Sequence, residues 1–365
     1  MTIQDRMYQV ALTKVDGIGP VTAKLLIDEL GSAEAFFHEK ENALLKIPGI
    51  SHGFIRNIDK SQALSLAEKE WKFIESHRIN VLYFQDDKYP RRLRNIPDSP
   101  ILLYVKGTAN LNPSRTIAIV GTRQPTDYGR MFAEQFIDSC AQMNLNIVSG
   151  LAHGIDTLAH RMSLKNSIPT IGFMGGGFEK IYPAINRPLA ERMQKDGAVI
   201  TEFGFQELPG REHFPMRNRL IAAMADALIV VESKEKGGSM ITADLANQYH
   251  KDVFALPGKI NDKVSAGCNQ LIKQNKAHLL ESVKDLEYIM GWNVRKVATQ
   301  MTLPILDLSE PERSIVTFLE ENESSHIDKI HFDLKLPISS LSSLLLGLEF
   351  KGIVRALPGK CYGLN

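Results

Sequence analysis

Five short segments carry the residues through which this chain could do chemistry: Gly121-Thr122-Arg123, SGLAHGID at 149–156, Gly175-Gly176-Gly177, PMRNR at 215–219 and GGSMITA at 237–243. Three of the five follow at once on a short apolar or β-branched run, so their backbone N–H groups are expected to gather at one edge of a parallel sheet. A helix start leaves such donors unpaired and carries partial positive charge, and glycine lets the backbone approach an anion with no Cβ in the way. The chemistry of that edge is phosphate binding. With Arg123, Arg217 and Arg219 among the turns, it becomes a groove that follows more than one phosphate.

Arg217-Asn218-Arg219 comes after Phe214-Pro215 and opens a helix through Ile221 and Met224. Two guanidiniums around an amide can grip phosphates and hydrogen-bond base edges, and Phe214 or Phe178 can stack a splayed base. The plainer alternative is a helix start held by internal salt bridges. A narrow amide-lined trough admits one backbone with unstacked bases, so a single strand fits it better than a duplex.

Other chemistries lack their parts. A dinucleotide site wants G-x-G-x-x-G after the first strand and an acidic residue ending the second; here the first turn is Gly121-Thr122-Arg123 and the second strand ends in Ser149-Gly150. The Gly-Lys-Ser/Thr ending of a Walker loop is missing, as are glycines flanking a serine at nucleophile-elbow spacing. His153, Asp156 and His160 stand three and four residues apart, a spacing that can bind a metal from one helix face. Without a fourth ligand nearby in sequence, Asp156 is more simply a helix cap or a partner for backbone and Arg123. No metal, cofactor or catalytic residue is expected.

These turns need an α/β frame. Strands are expected at 116–120, 146–149, 170–174, 199–201, 227–231 and 253–256, with helices between them, after two earlier strands at 81–84 and 101–105. Runs this apolar on both faces belong in a parallel sheet covered on each side, and the right-handed crossover rule makes a doubly wound, Rossmann-like α/β domain the leading fold. Ahead of it, Asp16-Gly17-Ile18-Gly19-Pro20 and the weaker echo Ile47-Pro48-Gly49-Ile50 punctuate short helices in the manner of a helix-hairpin-helix or SAM-like domain. That turn offers amides to a phosphate, or is an ordinary helical hairpin closed by glycine. At the other end, helices at 311–321, 326–334 and 337–350 and two short strands around Pro358-Gly359-Lys360 make a winged helix. Its third helix, rich in leucine and serine and free of arginine and lysine, reads as a packing or partner surface rather than a major-groove reader. The expected domains are 1–75, 76–285 (core 116–280) and 306–365, with a linker at 286–305.

A chain of 365 residues that is 44% hydrophobic and 23% charged can hold two or three such domains. Its formal net charge of +1 argues against coating duplex DNA by bulk basicity. YPRRLR at 89–94 and the arginine-bearing turns concentrate the positive charge, the former readable also as a solvated basic face. Cys140, Cys268 and Cys361 are far apart and odd in number, pointing to neither a disulfide framework nor a thiolate zinc site. The start resembles no signal peptide and no apolar stretch reaches membrane-spanning length, so the cytoplasm is the expected compartment.

IAIVGTR, IVSGLAHGIDTLAH, FMGGGFEKIYP, ITEF, HFPMRNRLIA, LIVVES, GGSMITA and VFALPG occur in the order and approximate spacing of the DNA-processing protein A (DprA/Smf) family, which the chain resembles over about 116–280, with YPRRL and ILLYVKG also similar. The resemblance implies a non-catalytic protein that binds incoming single-stranded DNA in natural transformation, protects it and helps load the RecA recombinase, working as a homodimer. Carried over by motif, it implies strand-binding roles for Gly121, Thr122, Arg123, Ser149, Gly150, Gly154, Asp156, Gly176, Tyr182, Phe214, Arg217, Asn218, Arg219, Gly238, Ser239 and Thr242, to which Lys180 and Lys259 are added. Gly237 stands where the family often has serine, and Met174-Gly175-Gly176 replaces a more varied turn. The rival on this scaffold is a nucleotide or nucleoside-phosphate hydrolase. Those enzymes carry Pro-Gly-Gly followed by Gly-Thr, where this chain has Gly-Gly-Ser-Met. A transcriptional regulator would rest on the winged helix alone.

Overall fold

A computed structural model of the protein describes residues 3–292, 308–322, 324–357 and 359–364. They fall into two compact units, Met1–Asn293 and Val294–Asn365. The first is built on a nine-stranded sheet: β1 (Asn80–Tyr83), β2 (Leu102–Gly107), β3 (Thr116–Gly121), β4 (Asn146–Ser149), β5 (Thr170–Phe173), β6 (Ala198–Thr201), β7 (Ala227–Val231), β8 (Asp252–Ala255) and β9 (His278–Leu279), in the spatial order β1-β2-β6-β5-β4-β3-β7-β8-β9. From β6 to β9 all pairings are parallel. The chain leaves β3 in one direction through β4, β5 and β6, then returns to its other side with β7. That reversal is the topological switch point at which doubly wound sheets form a crevice outside the carboxyl ends of their strands.

The strands are apolar on both faces because both faces are covered. On β3, Ile117 and Ile119 pack with Phe136, Ile137, Ile155 and Ala159 on one side, while Ala118 and Val120 meet Leu220, Ile221, Ala243 and Ala246 on the other. Each of the larger side chains among them, Val, Ile, Leu or Phe, contributes roughly 1.5–3 kcal/mol when fully buried. Two features lay outside the sequence reading. The early strand β2 joins the sheet antiparallel to β6 and β1 in turn pairs antiparallel to β2, while the two-residue β9 closes the opposite edge.

The N-terminal helices share a core with this sheet edge, where Val10, Leu26, Phe36, Ala63 and Ile74 pack with Tyr83, Leu102 and Tyr104. The two hairpins repeat one geometry: the N–H of Ile18 donates to Val15 O and that of Ile50 to Ile47 O, with Gly17 and Gly49 at φ of 82° and 86°. The lysines of the first are engaged within the protein. Lys14 is paired with Glu70 and Glu207, and Lys24 donates to Ser99 Oγ at 2.6 Å and Pro97 O at 3.2 Å. Its turn faces Glu202, Phe203 and His213 of the α/β part across a cavity of about 200 Å³.

YPRRLR serves in part as a clasp, with Arg91 and Arg94 exposed. Tyr89 is buried and donates to Pro100 O, Arg92 forms a two-pronged contact with Asp226 at 2.7 Å, and Arg94 donates to Asp86 O. The linker expected from 286 begins later. Helix Val283–Ile289 packs Leu286 into the core, and Ile289, Met290 and Trp292 lie against it; the rest of that linker, 293–305, lies outside the described residues.

The second unit has helices Glu310–Asn322, Ile327–Leu334 and Ile338–Phe350 around Ile315, Leu319, Ile330, Leu341, Leu345 and Leu348. Its wing holds three strands, since β10 (Ser324–His326) pairs with β12 (Cys361–Leu364), itself paired with β11 (Val354–Leu357). Of the expected turn Pro358-Gly359-Lys360, the proline lies outside the described residues.

Candidate nucleic-acid interface

The loops after β3, β4, β5 and β7 converge on the switch-point crevice. One cavity is lined by Arg123, Gly150, Gly176, Lys180, Tyr182 and Phe214, among others. A cleft of about 640 Å³ continues from it past Gly121, Thr122, Asn218, Gly238, Ser239 and Thr242. Arg123, Phe214 and Arg217 belong to both. Gly154 lies just beyond, beside Arg123 and His153.

The loops are locked to one another through the backbone. Thr122 N–H donates to Val231 O at 3.3 Å, and Ile155 N–H donates to Thr122 O at 3.2 Å. Gly154 is required where these loops cross: its φ is 76°, and a Cβ there would lie 2.3 Å from Thr122 O. Leu151 and Glu232 take positive φ of 55° and 57° despite their side chains, as functional loops do when the surroundings over-determine them. Glu232 is held by the N–H and hydroxyl of Thr126.

Two expectations about the arginines are corrected by burial and helix geometry. Arg217 and Arg219 stand on helix His213–Met224, two residues apart and so on different faces. Arg219 points away from the crevice, pairs with Glu202 and donates to Asp98 O at 2.7 Å. The salt-bridged alternative therefore holds for it. Arg217 does reach the crevice floor but is 4% exposed; it donates to Gly150 O, to Phe173 O at 2.8 Å and through Nε to Asn218 Oδ1 at 3.0 Å. Burial pulls its guanidinium down to about 10 against the opposing pull of Asp156.

Asp156 faces Arg217 and not Arg123. It accepts the N–H groups of Gly150 at 3.2 Å and Ala152 at 3.3 Å, so these two amides of the turn are filled by the protein's own carboxylate rather than left for phosphate. Burial raises its pKa while Arg217 and these donors oppose the rise. A Cβ on Gly150 would come 2.4 Å from Arg217 Nη1 and 2.7 Å from Asp156, so glycine lets the two charges close in beneath the loop.

The metal spacing dissolves as well. The helix starts only at Ile155, leaving His153 in the preceding loop, and His160 is fully buried with Nδ1 2.7 Å from Thr170 Oγ1. Thr170 gives its own proton to Ile147 O at 3.0 Å, so Nδ1 carries the proton of a neutral imidazole. Burial holds the pKa of that ring down at about 3.

Ser149, Ser239 and Thr242 spend their hydroxyls internally, on Ile119 O, Ser233 Oγ and Gly238 O. Helix Gly238–Gln248 opens onto the cleft behind Gly237, which makes no side-chain cap, so its first amides are directed there. Lys259 is exposed but does not line either cavity, and Phe178 is packed under Lys106, 5.6 Å from its ring centre. Of the two phenylalanines expected to stack a base, Phe214 is the one in the crevice: Arg123 lies 5.6 Å and Arg217 5.9 Å from its centroid, with the ring of exposed Tyr182 at 6.0 Å. Arg211, Lys234 and Lys236 also line the cleft, all exposed, and were missed. For the two lysines a signal existed, their position just ahead of the Gly237-Gly238 turn; Arg211 carried none.

Comparison with known proteins decides the family. The model of DNA recombination-mediator protein A matches residues 80–290, that of the DprA winged helix domain 299–360, and that of a SAM-like helix-hairpin-helix tandem 10–53. The chain belongs to the DNA recombination-mediator protein A family. Protein Smf of Synechocystis sp. is 31% identical over 399 residues, covering 99% of each chain. The X-ray structure of DprA from Streptococcus pneumoniae superposes with a TM-score of 0.66 at 34% identity, over 79% of this chain and 98% of that one. The DprA of Helicobacter pylori, whose structure is described as showing a single-stranded DNA binding mode, gives 0.53 at 28% over 58% and 95%. A helix-hairpin-helix start, the α/β core and a winged helix are thus all present in this chain. Among the described residues no helix is long and apolar enough to cross a membrane.

Proposed function

We propose that this member of the DNA recombination-mediator protein A family binds single-stranded DNA in the switch-point crevice without chemically altering it. Arg123 carries the reading: an exposed guanidinium shared by both cavities, with Phe214 beside it for a base and the start of helix Gly238–Gln248 across the cleft for a phosphate. Exposed Lys180, Lys234 and Lys236 supply further charge around it. Arg217, Asn218, Asp156 and Gly150 form the rigid floor. The non-catalytic role is supported by Asp156, the carboxylate of the cleft, which is engaged by two amides and an arginine instead of being free as a base. Within this reading the α/β core holds the strand, as a homodimer, in a cytoplasmic setting, and delivers it to the RecA recombinase during transformation or recombination. The relatives named DNA-processing protein support that context.

The test is a salt-titrated comparison of oligothymidine with a duplex of equal length, in the parent and in Arg123→Ala. The parent prefers the single strand. The variant loses about 1–3 kcal/mol on all single-stranded sequences alike, with a shallower salt slope. Preference for the duplex, or an unchanged Arg123→Ala, refutes the proposal. For delivery, the measurement is the rate at which RecA forms filaments on strands precoated with single-strand-binding protein; no acceleration by this protein refutes that part.

A further inference from the structure

A third trough leaves the crevice at Arg123. It has a volume of about 810 Å³, shares Arg123 and His153 with the central cavity, and passes Gly154 and Thr157 to reach Arg130 and Arg161. Helix Ile155–Lys165 turns Ile155, Ala159 and Met162 into the core, so Thr157 and Arg161, one turn and roughly 6 Å apart along the axis, lie on its open side.

The charge pattern is one-sided. Arg123, Arg130, Arg161 and His153 line this trough and no carboxylate does. The nearest acid in contact is exposed Asp127, 3.1 Å from Arg130. Arg161 is exposed and makes no hydrogen bond or ion pair with any described residue. Arg92 and Arg219, by contrast, are spent on the fold, on Asp226 and Glu202. In a chain of net charge +1, three arginines along one open channel with no acid lining it are a local field that favours a polyanion. Ile185, 69% exposed, forms an apolar stretch of the same wall, which suits an unstacked base better than the hydrated outside of a duplex.

We propose that this trough is a second segment of the nucleic-acid track: a single strand seated in the central crevice leaves it past Arg123 with its phosphates over Arg130 and Arg161. The inference rests on the proposed central site, which it extends by residues that none of the sequence motifs singled out.

Its test uses the full chain and fluorescein-labelled oligothymidines of about 6 and about 18 nucleotides, the first long enough only for the crevice. Both arginines are exposed, so the double variant Arg130→Ala/Arg161→Ala is expected to unfold at the parental temperature. It binds the long strand about tenfold more weakly, with a salt slope shallower by about 1.4, or 0.7 for each phosphate released. It binds the short strand like the parent, and Arg161→Lys keeps the parental slope. Parental affinity and slope on the long strand overturn the trough, as does equal weakening at both lengths. Arg123→Ala separates the two readings. If it weakens both lengths while the double variant changes neither, the crevice stands and the trough falls; if it binds both like the parent, the crevice fails and the trough with it.

Discussion

Arg217 has become a prediction about stability rather than about affinity. Its guanidinium is enclosed, bonded to two strand-end carbonyls and to Asn218, and set against the buried carboxylate of Asp156. Arg217→Met keeps most of the volume but leaves that carboxylate without a counter-charge, and breaking a buried pair in this way costs about 3–5 kcal/mol, a large part of the 5–15 kcal/mol that holds a typical domain. The sign with pH follows from Asp156. Burial already places its folded pKa above the unfolded 3.8, and losing Arg217 removes an opposing influence, so the value rises further. The native state then holds more protons than the unfolded one, and the variant regains stability as pH falls through that raised value. Adding Asp156→Asn, whose amide oxygen still accepts from Gly150 and Ala152 without a charge, returns about 2 kcal/mol at neutral pH, a non-additive pair. Urea unfolding followed by the fluorescence of Trp71 and Trp292, both tryptophans of the chain and both in the first unit, measures this at about pH 7 and about pH 5.5. A loss under about 1 kcal/mol for Arg217→Met, or a further loss on adding Asp156→Asn, refutes the account.

Phe214→Ala lowers single-strand affinity by about 1–3 kcal/mol for the lost stacking while the denaturation midpoint barely moves, as fluorescence anisotropy and urea unfolding together will show. Gly154→Ala forces a Cβ into Thr122 O at a φ of 76°; it costs upward of about 1–2 kcal/mol in the denaturation midpoint and also weakens strand binding, because the Arg123 loop must move. Glu202 is raised from 4.5 to about 7, chiefly by burial and against the pull of Arg219. A folded value above the unfolded one means that this carboxyl makes stability fall as pH climbs from 4.5 to about 7, so Glu202→Gln flattens that part of the stability-pH curve.

The strands and their order along the chain were readable from sequence because burial on both faces forces unbroken runs such as Ile117 to Val120 and Ala227 to Val231. The winged helix was readable from its helical periodicity. The crevice too was legible as a set of turns, with Gly154 standing where its backbone meets that of Thr122. A strand as short as His278–Leu279 carries no pattern of its own, and the antiparallel joining of β1 and β2 depends on which edge is left open.

What sequence could not assign was the partner of each charge. Arg123, Arg217 and Arg219 look alike as residue types in glycine-bordered segments, yet one is exposed, one is floor and one is tied to Glu202 on another face. Asp156 reads as a cap until the fold brings Gly150, Ala152 and Arg217 around it. Residue type and spacing determined that the glycine-bordered turns would stand together at the carboxyl edge of a parallel sheet, because that depends on local backbone geometry. Which cations stay free to meet a phosphate was decided only by tertiary structure, because a charge is neutralised by whatever the fold places within a few ångströms, however distant in sequence.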